Sequence, residues 1–310
     1  MTQPISIAII GAGAMGSRFG AQFFEAGYDV TLFDGWKEHV EAIRNNGLRV
    51  KRGDTEKTIP IQAYDVPEGN VRYDVVFLFV KSQHTEAALN RYQDLISGQT
   101  YVVTLQNGIG NIEAISNYVE SERIIAGTTT HSSDLLGPGS IEIGGSGKIL
   151  ITQLKESDSD MPRRIEKLLN DSSLDAQISS DTMVAVWEKL AFNAAINTLT
   201  GVTGLATGKV GNHPLGKKVM RGIVDEVGKV AAQLDIVIDV DRVMETLAWV
   251  SHPDTSGDHL PSMLQDLLKK RKTEIEAING AVVRKGKKHG IAVPYNETVY
   301  SIVKMIEDHY

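Results

Sequence analysis

The feature that most constrains the fold is a run of glycines close to the start of the chain. Residues 5–10 form a short apolar segment, and the sequence continues G-A-G-A-M-G. In the pattern G-x-G-x-x-G, the first glycine makes a tight turn and the second lets the main chain approach a pyrophosphate. The third allows a helix to pack closely on the preceding strand. The sequence therefore predicts a strand, a phosphate-binding turn and a helix, with the turn formed by Gly11, Ala12, Gly13, Ala14, Met15 and Gly16.

An acidic residue follows at the position where such a turn has its ribose-binding group. Asp34 comes directly after the second predicted strand, at 28–33, and lies 18 residues after Gly16. Its carboxylate can accept hydrogen bonds from the ribose hydroxyls of NADH but would repel the 2′-phosphate of NADPH. Local chemistry thus favours NADH, although Lys37 offers a charge that could pair with that phosphate. Flavin dinucleotides use the same turn, so the motif alone leaves the cofactor open.

Strand and helix patterns alternate through the first part of the chain and then give way to helices. Alternation of this kind is typical of a parallel, doubly wound sheet. We therefore predict an α/β dinucleotide-binding domain at 1–180 and a helical substrate domain at 181–310. The segments behind this division are a helix at 37–46, strands at 73–80, 100–105, 123–128 and 176–178, a glycine-rich hairpin within 135–151, and helical spacing at 162–169, 183–199, 215–234, 240–249 and 263–289.

Composition excludes several kinds of site and partner. The chain has no cysteine, so disulfides and thiolate sites are ruled out, and its histidines suggest no metal site. A net charge of −7 argues against nucleic acid as a partner. The longest apolar run, 75–80, is far shorter than the roughly 20 residues that span a bilayer. We expect a cytoplasmic protein without metal, nucleic-acid or membrane partners, whose helical part is large enough to form a homodimer.

Three polar residues recur at intervals of four within an apolar helical stretch. Lys189, Asn193 and Asn197 form one line along a helix that also contains Trp187 and Phe192. The alternative is an ordinary solvent-facing stripe, but asparagine is a poor helix former, and a surface would favour Glu, Lys or Gln. A buried lysine flanked by amides suits a proton donor to a carbonyl undergoing reduction, because burial lowers the lysine pKa toward neutrality.

Four further residues carry weaker signals. Ser262 opens a capping-box pattern, and Glu274 is spaced from a lysine as in an exposed ion pair, so local structure accounts for both. Lys81 and Asn107 follow two predicted strands, at the edge where doubly wound sheets bind ligands. An ordinary turn is the alternative for these two residues.

Together these segments resemble the ketopantoate reductase (2-dehydropantoate 2-reductase) family over essentially the whole chain. The resemblance implies a Rossmann-type N-terminal domain and an all-α C-terminal domain similar to that of 6-phosphogluconate dehydrogenase. It also implies the NAD(P)H-dependent reduction of ketopantoate to pantoate in pantothenate biosynthesis. The matching segments are GAGAMG at 11–16, FLFVKSQHT at 77–85, TLQNGIGN at 104–111, WEKLAFNAAINTLT at 187–200 and SMLQDLLKKRKTEIEAINGAVV at 262–283.

The resemblance implies a role for each matching residue. Lys189 would be the general acid that protonates the carbonyl oxygen. Glu274 would orient the nicotinamide ribose, the substrate or Lys189 itself. The other implied roles are substrate binding by Asn193, Asn197 and Ser262, and contact with the cofactor by Lys81 and Asn107.

Two departures from the family pattern keep alternatives open. Many relatives have a basic residue after the second strand and use NADPH, whereas this chain has Asp34 and Gly35. The family expectation is therefore NADPH, while the local chemistry favours NADH. Some relatives also have a further asparagine where this chain has A-T-G at 206–208. The chain could instead reduce a different 2-keto acid, or bind NAD(P) as a non-catalytic sensor.

Overall fold

The computed structural model describes residues 5–67, 69 and 71–310. The chain forms two compact units. Unit 1 comprises Met1–Gln106 and Asn111–Thr182, and unit 2 comprises Asn107–Gly110 and Met183–Tyr310. The short segment 107–110 therefore belongs with the helical residues, although both of its flanks belong to unit 1.

The strands of unit 1 build two sheets. They are β1 Ser6–Ile10, β2 Asp29–Phe33, β3 Leu48–Arg52, β4 Thr55–Ile59, β5 Gln62–Tyr64, β6 Val75–Leu78, β7 Tyr101–Thr104, β8 Ile124–Thr129, β9 Ser133–Gly137, β10 Ser140–Ile143, β11 Ile149–Gln153 and β12 Ala176–Ile178. The main sheet has the order β12-β11-β8-β7-β6-β1-β2-β5, and the second has the order β4-β3-β10-β9. In the main sheet β11 runs antiparallel to β8, whereas the other neighbouring pairs are parallel.

Helices accompany the strands of unit 1. They are α1 Ala14–Glu25, α2 Lys37–Asn46, α3 Thr85–Arg91, α4 Asn111–Ile115 and α5 Met161–Asp171, with short 3-10 helices at Ser82–His84, Gln93–Leu95 and Ser121–Arg123. The helix after the glycine-rich turn is held by aromatic packing. Phe19 and Phe23 lie one turn apart on α1, and Phe23 packs on Phe77 of β6 with ring centroids 5.0 Å apart. Burial of each such ring contributes about 1.5–3 kcal/mol, which fixes α1 on the sheet.

The predicted α/β class of the first part is confirmed, including the bounds of the helix at 37–46 and the strand at 176–178. The predicted hairpin within 135–151 forms between β9 and β10, which pair antiparallel. The strand next to this hairpin is unexpected. β10 pairs with β3 in parallel, so the hairpin belongs to the second sheet. Only β11, at the end of that segment, enters the main sheet.

Unit 2 is helical, as the spacing of apolar residues predicted. Its helices are α6 Thr182–Thr203, α7 Thr207–Gly211, α8 Pro214–Ala232, α9 Val240–Val250, α10 Ser262–Leu268, α11 Asn279–His289 and α12 Pro294–Glu307. Their buried apolar faces form one core, to which Trp187, Ile223 and Val303 belong. Within the described ranges, no helix is both long and apolar enough to cross a membrane.

The prediction of continuous helical structure over 263–289 is wrong. Helix α10 ends at Leu268, Lys270 has a left-handed backbone (φ 52°), and regular helix resumes only at Asn279. A carboxylate explains the interruption. Glu307 of α12 accepts hydrogen bonds from both the backbone N–H and the hydroxyl of Thr273, each at 2.7 Å. A buried carboxylate thus replaces the helical partners that these groups would otherwise need.

Two structural interpretations of residues in this segment are also wrong. The capping box does not form, because Pro261 is the N-cap and Ser262 is already the first helical residue. The spacing of four between Lys270 and Glu274 would place them on one helix face only in a continuous helix. An ion pair along a helix therefore does not account for Glu274.

Candidate active site

The glycine-rich turn connects β1 to α1, and two of its glycines have contrasting surroundings. A methyl group on Gly16 would lie 1.9 Å from the carbonyl oxygen of Gly11, so the turn closes only with glycine there. Gly13 is the N-cap of α1, and a methyl group on it would meet no atom within 4 Å. Open space therefore faces the first turn of α1, whose free N–H groups and positive dipole end suit a phosphate.

Asp34 directly follows β2 and has a fixed orientation. Its Oδ1 accepts a hydrogen bond from the backbone N–H of Trp36 at 2.8 Å. Trp36 remains 38% exposed and stacks on the buried His39, with ring centroids 5.1 Å apart and planes 11° from parallel. Desolvation lowers the pKa of His39, and the nearby Asp34 opposes this effect. Sequence reasoning selected the carboxylate but missed this aromatic pair beside it.

The carboxyl ends of β6 and β7 are joined by side-chain hydrogen bonds. Gln106 donates from Nε2 to the carbonyl oxygen of Val80 at 2.7 Å and to the hydroxyl of Thr85 at 3.0 Å. Lys81 comes next along the chain, is half-buried, and accepts at its carbonyl oxygen from His84 at 2.8 Å. These two strand ends therefore lie together, as expected for neighbouring parallel strands.

Asn107 belongs to unit 2, where it contacts Glu274. Gly108 has φ 78°, and a methyl group on it would lie 2.6 Å from the carbonyl oxygen of Ala277, so only glycine fits this close approach. The N–H of Ile109 donates to the same carbonyl oxygen at 2.9 Å. This packing brings Asn107 Nδ2 to 3.3 Å from Glu274 Oε2. Residues 167 positions apart in the sequence thus form one polar cluster.

Lys189 of α6 belongs to the same electrostatic environment. Part of the residue remains accessible, whereas the surrounding protein desolvates its ammonium group. Desolvation lowers the pKa of Lys189 to about 8, and the negative charge of Glu274 acts in the opposite direction. A lysine with this pKa can both hold and release a proton near neutral pH, as a general acid must.

The two asparagines of the stripe are buried, being 6% exposed at Asn193 and 8% exposed at Asn197. Asn197 Nδ2 donates to Asn193 Oδ1 at 3.2 Å, so the two amides form a pair along α6. The stripe is therefore not an ordinary solvent-facing row. Ser262, by contrast, is exposed at the start of α10.

Comparison with known families assigns the chain. The family model described as Ketopantoate reductase PanE/ApbA matches residues 7–156, and the model described as its C terminal matches residues 181–307. The chain belongs to the ketopantoate reductase family. The resemblance inferred from the sequence motifs is thereby confirmed.

Relatives of the ketopantoate reductase family match nearly the full length of this member. The 2-dehydropantoate 2-reductase of Lactococcus lactis subsp. lactis (strain IL1403) is 34% identical, over 97% of this chain and 98% of the relative. A solved structure of D-mandelate dehydrogenase with NADH and anilino(oxo)acetate is 36% identical, with a TM-score of 0.95 over 98% and 99% of the two chains. The 2-dehydropantoate 2-reductase of Geobacter metallireducens GS-15 is 29% identical, with a TM-score of 0.88 over 97% and 99%.

Proposed function

We propose that this family member is an oxidoreductase that reduces ketopantoate to pantoate, a step of pantothenate biosynthesis, with a reduced nicotinamide dinucleotide. The observation that carries the proposal is the cluster of Lys189, Glu274 and Asn107, together with the buried amides of α6. Curated relatives named 2-dehydropantoate 2-reductase, at 31–34% identity over nearly the whole chain, support this substrate.

The residues of unit 1 fit a dinucleotide. The open space at Gly13, in front of the N–H groups of α1, would hold the pyrophosphate within the turn at 11–16. Asp34 would bind the adenosine ribose, and for this reason we propose NADH as the preferred cofactor. Lys81 and Asn107 would lie against the cofactor. The predicted division into a dinucleotide-binding domain, 1–180, and a substrate domain, 181–310, is part of this proposal.

The side chains of unit 2 would then carry the proton chemistry. A bound reduced nicotinamide supplies the hydride for the ketone carbon. Lys189 donates a proton to the carbonyl oxygen, on which negative charge develops during reduction. Glu274 favours the charged form of Lys189 and so keeps the proton available. The remaining residues, Asn193, Asn197 and Ser262, would bind the hydroxyl and carboxylate groups of the substrate.

Substitutions at two glycines of the turn are expected to affect different properties, stability in one case and cofactor binding in the other. We expect Gly16→Ala to lower the free energy of unfolding by about 3 kcal/mol, because its methyl group would overlap the Gly11 carbonyl oxygen. Gly13→Ala should leave the free energy of unfolding within about 1 kcal/mol of wild type, yet weaken NADH binding at least about 10-fold. Urea unfolding and fluorescence titration measure the two effects. Equal NADH affinity of wild type and Gly13→Ala would contradict the proposed pyrophosphate site.

A second candidate is the reduction of an aryl 2-keto acid. The chain is 36% identical to D-mandelate dehydrogenase, whose structure was solved with NADH, and Asp34 suits the same cofactor. The segment 206–208 also lacks the asparagine that some relatives have. The oxidised counterpart of mandelate is phenylglyoxylate, which has the same 2-keto acid group as ketopantoate but a flat apolar side chain.

Steady-state oxidation of NADH with each keto acid separates these candidates. We expect kcat/KM to be higher with ketopantoate than with phenylglyoxylate, and no oxidation without a keto acid. The reverse order would favour the second candidate. If neither acid is reduced with NADH or with NADPH, the proposal fails, and reduction of a different 2-keto acid or a non-catalytic NAD(P)-binding role is favoured. A cytoplasmic location and a homodimer stay predictions from the sequence.

A further inference from the structure

A chain of buried polar side chains crosses unit 2 next to the helix that carries Lys189. It runs from Glu226 of α8 through Asn296 of α12 and Asn279 of α11 to Thr198 of α6. Glu226 is 4% exposed and the other three are fully buried. None of these four residues was predicted from the sequence as a site residue, and none belongs to the cluster of Lys189, Glu274 and Asn107.

The carboxylate of Glu226 determines which group donates and which accepts in every hydrogen bond of this series. Glu226 accepts from the N–H of Tyr295 and from both the N–H and the side-chain amide of Asn296, at 2.8–2.9 Å. Asn296 must therefore present its NH₂ group to Glu226 and its Oδ1 to Asn279, which donates at 3.0 Å. Asn279 Oδ1 is then left to accept from the hydroxyl of Thr198, at 2.7 Å. A chain with a single direction resists rearrangement, because reversing one amide leaves buried groups unpaired.

Asn279 holds α6 at two points one helical turn apart. Its Nδ2 donates to the carbonyl oxygen of Ala194 at 3.1 Å, in addition to the bond between its Oδ1 and Thr198. These two residues directly follow Asn193 and Asn197 in the sequence. Two attachments on one face fix the rotation of α6, and thereby the direction of its polar stripe.

The same asparagine ends the turn that carries Glu274. Asn279 is the first residue of α11, and the N–H of the preceding residue, Ile278, donates to the carbonyl oxygen of Glu274 at 3.1 Å. The other end of this turn is held where Glu307 bonds Thr273. Glu307 and Asn296 both lie on α12, so one helix secures both ends of the Glu274 turn.

We propose that Asn279 is a positioning residue, which holds the turn of Glu274 in register with Lys189 on α6. The inference rests on the proposed function, in which these two side chains act during reduction. Asn279 itself lies fully buried and does not touch the substrate in this account. Its effect would pass through the two attachments to α6.

The test substitutes Thr198, the last residue of this hydrogen-bonded series. The alternative, Asn279→Ala, would leave several buried groups unpaired and endanger folding. Thr198→Val removes only the hydroxyl that bonds Asn279, and Thr198→Ser restores it. The matched control is Thr200→Val. Thr200 is also fully buried on α6, but its hydroxyl bonds the carbonyl oxygens of Ile196 and Asn197 on the same helix.

We expect Thr198→Val to lower kcat about 10-fold with an unchanged KM for NADH, because small displacements of reacting groups have effects of this size. Thr198→Ser and Thr200→Val should stay within about twofold of wild type in kcat. Equal losses of kcat in Thr198→Val and Thr200→Val would overturn the proposal, since they would show a general effect of removing a buried hydroxyl. A kcat of Thr198→Val equal to wild type would also overturn it.

A second readout does not depend on turnover. The pKa of Lys189 can be measured from the pH dependence of trace acylation, followed by mass spectrometry of its peptide. In Thr198→Val we expect this pKa to fall, because the contribution of Glu274 weakens while the lysine stays desolvated. An unchanged pKa of Lys189 would overturn the proposal. A rise would overturn it too, because it would mean that water had reached the ammonium group. If wild type reduces no keto acid, the proposed function fails, but the pKa still decides the role of Asn279.

Discussion

Replacing Lys189 with alanine is expected to lower kcat by about 10²–10⁴-fold with ketopantoate, while the affinity for NADH stays unchanged. The loss follows from the position of this lysine, whose desolvated ammonium has a pKa of about 8 beside Glu274. Without it, the developing alkoxide loses the proton donor that this account assigns to α6. Steady-state kinetics measures the loss, and fluorescence titration with NADH shows that the dinucleotide site survives.

The matched control for this variant is Lys229→Ala, which removes an exposed lysine from the last turn of α8. Its kcat should equal that of wild type. The same assignment requires Lys189 to be protonated, so wild-type kcat should be constant below its pKa and fall as the pH rises through about 8. A Lys189→Ala variant with wild-type kcat would exclude this residue as the proton donor.

The change Asp34→Asn is expected to shift the ratio of kcat/KM for NADPH to that for NADH by about 100-fold toward NADPH. Like charges at close range cost about 1–4 kcal/mol, and the carboxylate would repel a 2′-phosphate. Asparagine has the same shape and can still accept the hydrogen bond from the Trp36 N–H, so mainly the charge changes. Steady-state kinetics with each dinucleotide gives the ratio for both proteins.

The control for the nucleotide preference is Asp29→Asn, at the exposed start of the same strand β2. It removes an identical charge and should leave the ratio unchanged. Wild-type preference for NADPH would contradict the account of Asp34. So would an Asp34→Asn variant with the wild-type ratio, because the carboxylate would then lie away from the ribose.

Features that depend on local chemistry could be predicted from the sequence. The turn at 11–16 follows from its glycines. The helix at 37–46 ends before Gly47, whose φ is positive. The burial of Asn193 and Asn197 also followed from local information, since asparagine at regular spacing in an apolar helix has little reason to face solvent. Each of these predictions needed only residues within a few turns of one another.

Features that depend on distant partners could not be predicted in the same way. The break before α11 results from Glu307 bonding Thr273, 34 residues earlier in the chain. The membership of 107–110 in unit 2 depends on Gly108 packing against Ala277. The only sequence signal for Asn279 was a polar residue within the otherwise apolar run I-N-G-A-V-V, and the asparagine alone does not name its partners.

Deuterium transfer from the cofactor shows whether the protein carries out the proposed reduction. The protein is incubated with ketopantoate and NADH deuterated at both C4 positions, and the product is analysed by mass spectrometry, with Lys189→Ala as the parallel sample. We expect wild type to form pantoate with one deuterium at C2, and the variant to form it at most about 1% as fast. Absence of pantoate, or pantoate without deuterium at C2, would contradict it.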